Sequence, residues 1–226
     1  MNRNQQSFEL WEQGKKEEAI QLLFEEIEEH PADADAYINL GSMFMMMEKY
    51  EDAAAIFATA SEKSPDNTEV IYCFASLYYE QGQYEVAIKQ YEKVIALKPE
   101  QEALADANFM IGMSYQGMGD YNRALVYVLR ATELSPEVTD FNLSAGDILM
   151  SLEQFDQAKQ YYDLAIQHEP DHQGAYFKRG LMAFILDEAD SEVYFKKASE
   201  LDPEMYQEQL KQLKEIESFI QAQSKK

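Results

Sequence analysis

Cations, cysteine and long apolar runs are all scarce in this chain, and each shortage closes a class of function. Against 42 Asp+Glu there are only 19 Lys+Arg, a formal net charge of −23 at pH 7. Nucleic-acid phosphates are held by neutralising them with cations, so nucleic acid is not an expected partner. An anionic membrane surface repels the chain for the same reason. A single cysteine, Cys73, rules out an internal disulfide framework and fits a reducing compartment. No apolar run is long enough to cross a bilayer, and the opening MNRNQQSFELWEQGKK has no apolar signal-peptide core. The expectation is a cytoplasmic protein whose acidic helix surfaces keep it in solution and attract basic proteins or peptides.

The motifs of catalysis are missing as well. The many Asp and Glu, which could in principle pair as acid and base, stand in helix first turns and on exposed faces, where solvation is their expected role. His168 and His172 are four apart, but Pro170 lies between them, so they cannot share a regular helical face as metal ligands; His30 is likewise next to Pro31. There is no nucleophile elbow of the G-x-S-x-G kind and no phosphate loop. Gly117 and Gly119 in QGMGDY follow no strand and read as a turn between helices. No enzyme activity, metal or cofactor is expected.

What the chain does have is a period. Its six prolines, Pro31, Pro65, Pro99, Pro136, Pro170 and Pro203, are separated by 34, 34, 37, 34 and 33 residues. Each follows a helical segment with a polar end (EEIEEHP, TASEKSP, VIALKP, ATELSP, AIQHEP, KASELDP), where proline stops a helix. Asp33, Asp66, Thr68, Thr139 and Asp171 stand shortly after and are expected to cap the next helix. Between prolines, a first helix carries NLG, CFA, MIG, SAG or KRG, and a second carries Ala19, Ala53, Ala87, Ala124 or Ala158. Four residues after each alanine comes Leu23, Phe57, Tyr91, Val128 or Tyr162. Small residues let two antiparallel helices approach, and the large ones fill the gap beside them.

This pattern resembles the tetratricopeptide repeat family over nearly the whole chain. The resemblance implies an all-α fold, a right-handed superhelical solenoid of antiparallel helical hairpins. Six repeats are expected in residues 1–203 (approximately 1–33, 34–67, 68–101, 102–138, 139–172 and 173–203). Residues 204–226 are expected to form a capping helix and short tail, with Tyr206, Leu210, Leu213, Ile216 and Ile220 on one face and Ser224 to Lys226 frayed. Three departures stand out. Ser7 and Glu26 replace small residues in the first repeat. Three extra residues in EQEALADA should lengthen the next helix by nearly one turn. The sixth repeat has lost a residue at its turn and puts Ser191 at the alanine place.

In that family the concave wall is made by the first helix of each repeat, and its second, fifth, ninth and twelfth places face a bound peptide. The resemblance therefore implies a groove with an acidic row, Asp35, Glu69, Asp106 and Asp140. Its apolar row is Ile38, Tyr72, Phe109, Leu143 and Phe177. The ninth places hold Ser42, Ser76, Met113, Asp147 and Leu181, and the twelfth Met45, Tyr79, Gln116, Met150 and Phe184, with Phe8 and Trp11 extending the wall. Exposed aromatic and methionine rows mark interaction surfaces, and the first-turn carboxylates also favour the helix dipole with no ligand present. The family's clamp for acidic chaperone tails needs Lys, Asn and Arg, whereas the matching places here hold Ile38, Ser42, Cys73, Asp106 and Met110, so that partner is not expected. The reading is a non-enzymatic adaptor or scaffold that binds a protein or peptide segment, apolar with basic residues. Alternatives are a receptor for a short signalling peptide that acts on a separate output partner, and a self-assembling structural protein.

Overall fold

Proline and the residue before it dictate how consecutive hairpins are joined. In the computed structural model, which describes residues 2–223 and side chains as far as residue 214, four links have the form x-Pro-x-x. They are His30–Asp33, Ser64–Asn67, Ser135–Val138 and Glu169–His172, each closed by a backbone N–H of the fourth residue donating to the carbonyl of the first at 2.9–3.2 Å. Proline occupies the second place, where its fixed φ is already that of a tight turn. The fourth residue is also the helix N-cap. Asp33 accepts from Asp35 N, Asn67 from both Glu69 N and Val70 N, and the Nδ1 of His172 from Ala175 N. Asp33 caps where expected, whereas the next two side-chain caps fall on Asn67 and His172, one residue away from the expected Asp66 or Thr68 and Asp171. Val138 caps without a side-chain bond, and Thr139 is already helical. Each side-chain cap is worth about 1 kcal/mol.

Among the described residues there are thirteen helices and no strand: α1 Arg3–Glu12, α2 Lys16–Glu29, α3 Ala34–Met46, α4 Tyr50–Lys63, α5 Thr68–Glu80, α6 Tyr84–Ala96, α7 Gln101–Gly117, α8 Tyr121–Leu134, α9 Thr139–Ser151, α10 Phe155–His168, α11 Gln173–Ile185, α12 Ser191–Leu201 and α13 Pro203–Gln223. Pro203 opens α13, where its missing N–H costs no helical bond. Within each of six pairs, α1/α2 to α11/α12, the turn needs one residue at positive φ, so that the next N–H can reach a carbonyl five residues back. Gly14, Gly82 and Gly119 supply it in three turns; Glu48, Glu153 and Asp187 do so in the others, at φ of 57–58°.

The chain forms two compact units, residues 1–127 and 128–226. In the first, Ala19, Leu23, Leu40, Ala53, Phe57 and Leu77 are fully buried in one cluster, and Ala75, Ala87, Tyr91 and Ile111 in a second. Gly41 lies under the ring of Phe57, and a Cβ placed there would come 2.5 Å from its Cε1. The first hairpin solves the same problem with Ser7, which is fully buried with its hydroxyl donating to Asn4 O. Glu26, also at a small-residue place, is held by Arg3 at 3.2 Å. α7 has 17 residues where α3 and α5 have 13. It also starts two residues after its proline, where α3 and α5 start three after theirs. The three residues inserted after Pro99, with one more taken from the link, therefore add residues 101–104, about one helical turn.

In the second unit Gly146 lies under fully buried Tyr162, and Gly180 under Phe195. Because Phe195 holds that place, Ser191 stands at the alanine position, and α12 begins there with its first turn missing. Tyr206 of α13 meets the rings of Phe177 and Phe195 at 5.9 and 6.4 Å, and Gln173 Nε2 donates to Gln209 at 3.0 Å. The side chains of Ile216 and Ile220, and residues 224–226, lie outside those described.

Candidate peptide-binding face

In residues 1–127 the wall consists of α3, α5 and α7. Its acidic places are open: Asp35 and Glu69 are exposed and Asp106 half-buried, and among the described residues no ion pair holds any of the three carboxylates. Burial and the neighbouring Glu102 raise the Asp106 carboxyl above the usual carboxylate range. Tyr72, Phe109, Met113, Tyr79, Met45, Ser42 and Gln116 are all partly accessible. Tyr72 packs edge-on against Tyr91 at 5.2 Å, and Tyr79 lies 5.6 Å from Tyr84. Burial, then the charge of Asp106, pushes the Tyr72 phenol up to about 12. Ser76 bonds the Tyr91 hydroxyl at 2.9 Å, so its oxygen is already engaged. At the N-terminal end Phe8 is exposed, whereas Trp11 packs into the first core cluster under the ammonium of Lys16.

In residues 128–226 the same places sit on α9 and α11. Asp140 and Phe184 are exposed, and Met150 and Leu181 half-buried. Asp147, however, is neutralised inside the unit: Lys178 pairs with its carboxylate and the Tyr162 hydroxyl donates to it at 2.8 Å. It offers no free charge to a ligand.

The fifth-place row needs correcting at three positions. Ile38, Leu143 and Phe177 are only 8%, 9% and 6% exposed. Ile38 packs in a buried cluster with Tyr37, Ala60 and Val70, beside Cys73 of the next first helix. Phe177 is covered by Phe195 and Tyr206. Ile38 and Phe177 pack against neighbouring helices, and none of the three is an open anchor, which leaves Tyr72 and Phe109 as the accessible members of the row.

Sequence reasoning missed the role of KRG. Arg179 occupies the place held by Leu40 and Ile111 elsewhere, yet its side chain is 7% exposed. Its Nε donates to Asp163 at 2.7 Å, Nη1 lies 3.4 Å from Glu188, and its guanidinium stacks 4.3 Å from the Tyr194 ring centre. Two adjacent cations before the glycine of the close helix approach, found in no other repeat here, were the available signal.

The surroundings of Cys73 disfavour its thiolate. Burial, then the charge of Glu69, pushes the thiol up to about 11 against an ordinary 9.0. The raised value means that thiolate appears only as pH climbs towards 11, and at pH 8 it should be about a hundredfold scarcer than in the unfolded chain. Alkylation at pH 8 should accelerate by that order when urea is added; equal rates would show an open thiol.

An all-α chain of linked helical hairpins, with small residues under aromatic rings and an accessible first-helix face, defines a helical repeat protein. Three family models described as tetratricopeptide repeat match residues 44–107, residues 9–68 with 143–205, and residues 105–138. The second covers more than half of the chain, which belongs to the tetratricopeptide repeat family. A curated relative, protein O-mannosyl-transferase TMTC1 of Homo sapiens, is 29% identical over 189 residues, covering 80% of this chain but 21% of that protein. The chain spans between 10% and 38% of the length of three further curated relatives. Among solved structures, Pseudomonas aeruginosa PilF aligns with a TM-score of 0.77 at 22% identity, over 93% of this chain and 96% of that one. YrrB, described as a TPR protein with an unusual peptide-binding site, gives 0.63 at 23% identity, over 84% and 97%. Structural likeness at these identities establishes the fold alone. Tetratricopeptide repeat proteins generally mediate protein–protein interactions. Among the described residues no helix is long and apolar enough to cross a membrane.

Proposed function

We propose that this chain is a non-enzymatic adaptor that holds a partner segment, apolar with basic residues, along the first-helix face of residues 1–127. One observation carries the reading: Tyr72, Tyr79, Phe109 and Met113 remain partly accessible beside three carboxylates, Asp35, Glu69 and Asp106, that no cation among the described residues pairs with. Accessible aromatic and methionine side chains in a row favour a partner's apolar groups, and the carboxylates select against acidic ones. The peptide-binding site named for YrrB supports the same use of the fold. The activity named for TMTC1 does not carry over, since this chain spans 21% of that protein.

Peptides selected from a random library on the full chain test the reading. Tyr72→Ala with Phe109→Ala should weaken them by about 30-fold or more, the loss of a two-residue hot spot, while far-ultraviolet circular dichroism stays unchanged. Undiminished binding would reject this face.

A further inference from the structure

The extra turn of α7 does more than lengthen a helix. Between it and α5 lies a recess of about 290 Å³ lined by Thr68, Glu69, Tyr72, Val94, Ala103 and Asp106. Its lining divides by chemistry. Tyr72 and Ala103 supply apolar surface and an aromatic ring over a floor closed by Val94, itself 1% exposed; Glu69 and Asp106 supply two carboxylates. Ala103 belongs to the inserted turn, so this wall has no counterpart on α3, which begins at Ala34 directly after its link. The recess continues into an outer basin bordered by Lys98, Glu100 and Glu102, where two carboxylates outnumber one ammonium.

From this geometry we infer that the recess between α5 and the first turn of α7 is a socket for one basic side chain, arginine or lysine, of a bound segment. The inference rests on the proposal that a segment lies along this face, and it adds which side chain goes where. The volume is at the bottom of the range for sites that enclose a drug-sized molecule, about 300–1,000 Å³, and suits one long side chain better than a free ligand. A long basic side chain also matches the lining in order, with methylenes against Val94 and Ala103 and a cationic head at the carboxylates beside the Tyr72 ring. An acidic or neutral polar side chain would leave Asp106 without a counter-charge in a partly desolvated place.

The test uses the full chain with isotope-labelled tyrosine and backbone amides. N-acetyl-arginine methylamide is titrated and compared with N-acetyl-citrulline methylamide, its neutral isostere. Shifts at Tyr72, Ala103 and Asp106 are expected for arginine and not for citrulline. Glu69→Gln with Asp106→Asn should weaken the response at least about tenfold, the loss of charge-assisted contacts. Equal responses to arginine and citrulline, no response at these residues, or the same resonances moved as strongly by magnesium chloride would each overturn the socket. The single-residue probe is titrated on the unaltered chain and needs no segment elsewhere on the face; because Tyr72 lines both, Phe109→Ala alone, outside the recess, separates loss of the face from loss of the socket. Selected peptides that bind the face yet show no preferred Arg or Lys position would also sink the socket while leaving the face in place.

Discussion

Phe57→Ala is expected to destabilise residues 1–127 by about 3–5 kcal/mol, the range for deleting a fully enclosed aromatic ring. The ring has no exposed surface and lies directly on the Gly41 backbone, so removing it leaves a hole flanked by Ala53, Leu40 and Leu77 that two helices cannot close without losing their other contacts. The converse substitution, Gly41→Leu, drives a side chain into a space where even a Cβ would lie 2.5 Å from Phe57 Cε1, and should cost about 1–3 kcal/mol or more. Because each fills the other's space, the double variant should be more stable than the two losses added together predict, by about 0.5–3 kcal/mol. Hydrogen exchange of the α3 and α4 amides checks all three, since it reads local opening without assuming that both units unfold together. Strict additivity would show that the glycine and the ring are not a packed pair.

Arg179→Ala is expected to cost residues 128–226 about 2–4 kcal/mol. The upper end is that of a broken buried ion pair, and the lower reflects carboxylates that still reach water, Asp163 being 46% and Glu188 30% exposed. Arg179→Leu restores the residue type found at Leu40 and fills the space, so it should recover about 1–2 kcal/mol of that loss. Arg179→Lys keeps the charge but loses the fork that reaches Asp163 and Glu188 together, and the flat stacking on Tyr194, so it should not restore wild-type stability. Exchange protection across α10 and α11 reports the order. Arg179→Ala within about 0.5 kcal/mol of wild type, the scatter of unremarkable surface changes, would mean that the network stabilises nothing.

Much of the architecture was legible because its causes are local. Proline spacing places the links, small residues at Gly41 and Gly146 mark close approaches to Phe57 and Tyr162, and three inserted residues account for all but one of the four by which α7 exceeds α3 and α5. What spacing does not encode is how near the next hairpin sits. Ile38, Leu143 and Phe177 share a helical face with Tyr72 and Phe109, yet only the first three are covered. For Phe177 the cover comes from Tyr206, in a helix outside the repeat. Charges posed the same difficulty: Asp147 reads as one more groove carboxylate until Lys178, 31 residues on, is seen to neutralise it. Asp33 caps as expected, but the next cap was missed by a single residue because Asp66, Asn67 and Thr68 are all competent, and only the turn geometry chooses Asn67.

A wall made of near-identical units has an ambiguity built into it, since a strip of guest chain could settle at one hairpin or slide to the next with similar contacts. The inserted turn of α7 breaks that degeneracy. It puts a protrusion of about 6 Å, four residues of helix, at a single rung of the ladder. If the segment proposed for residues 1–127 engages this step, it has one alignment there, and an irregularity in the repeat sets where reading along it begins.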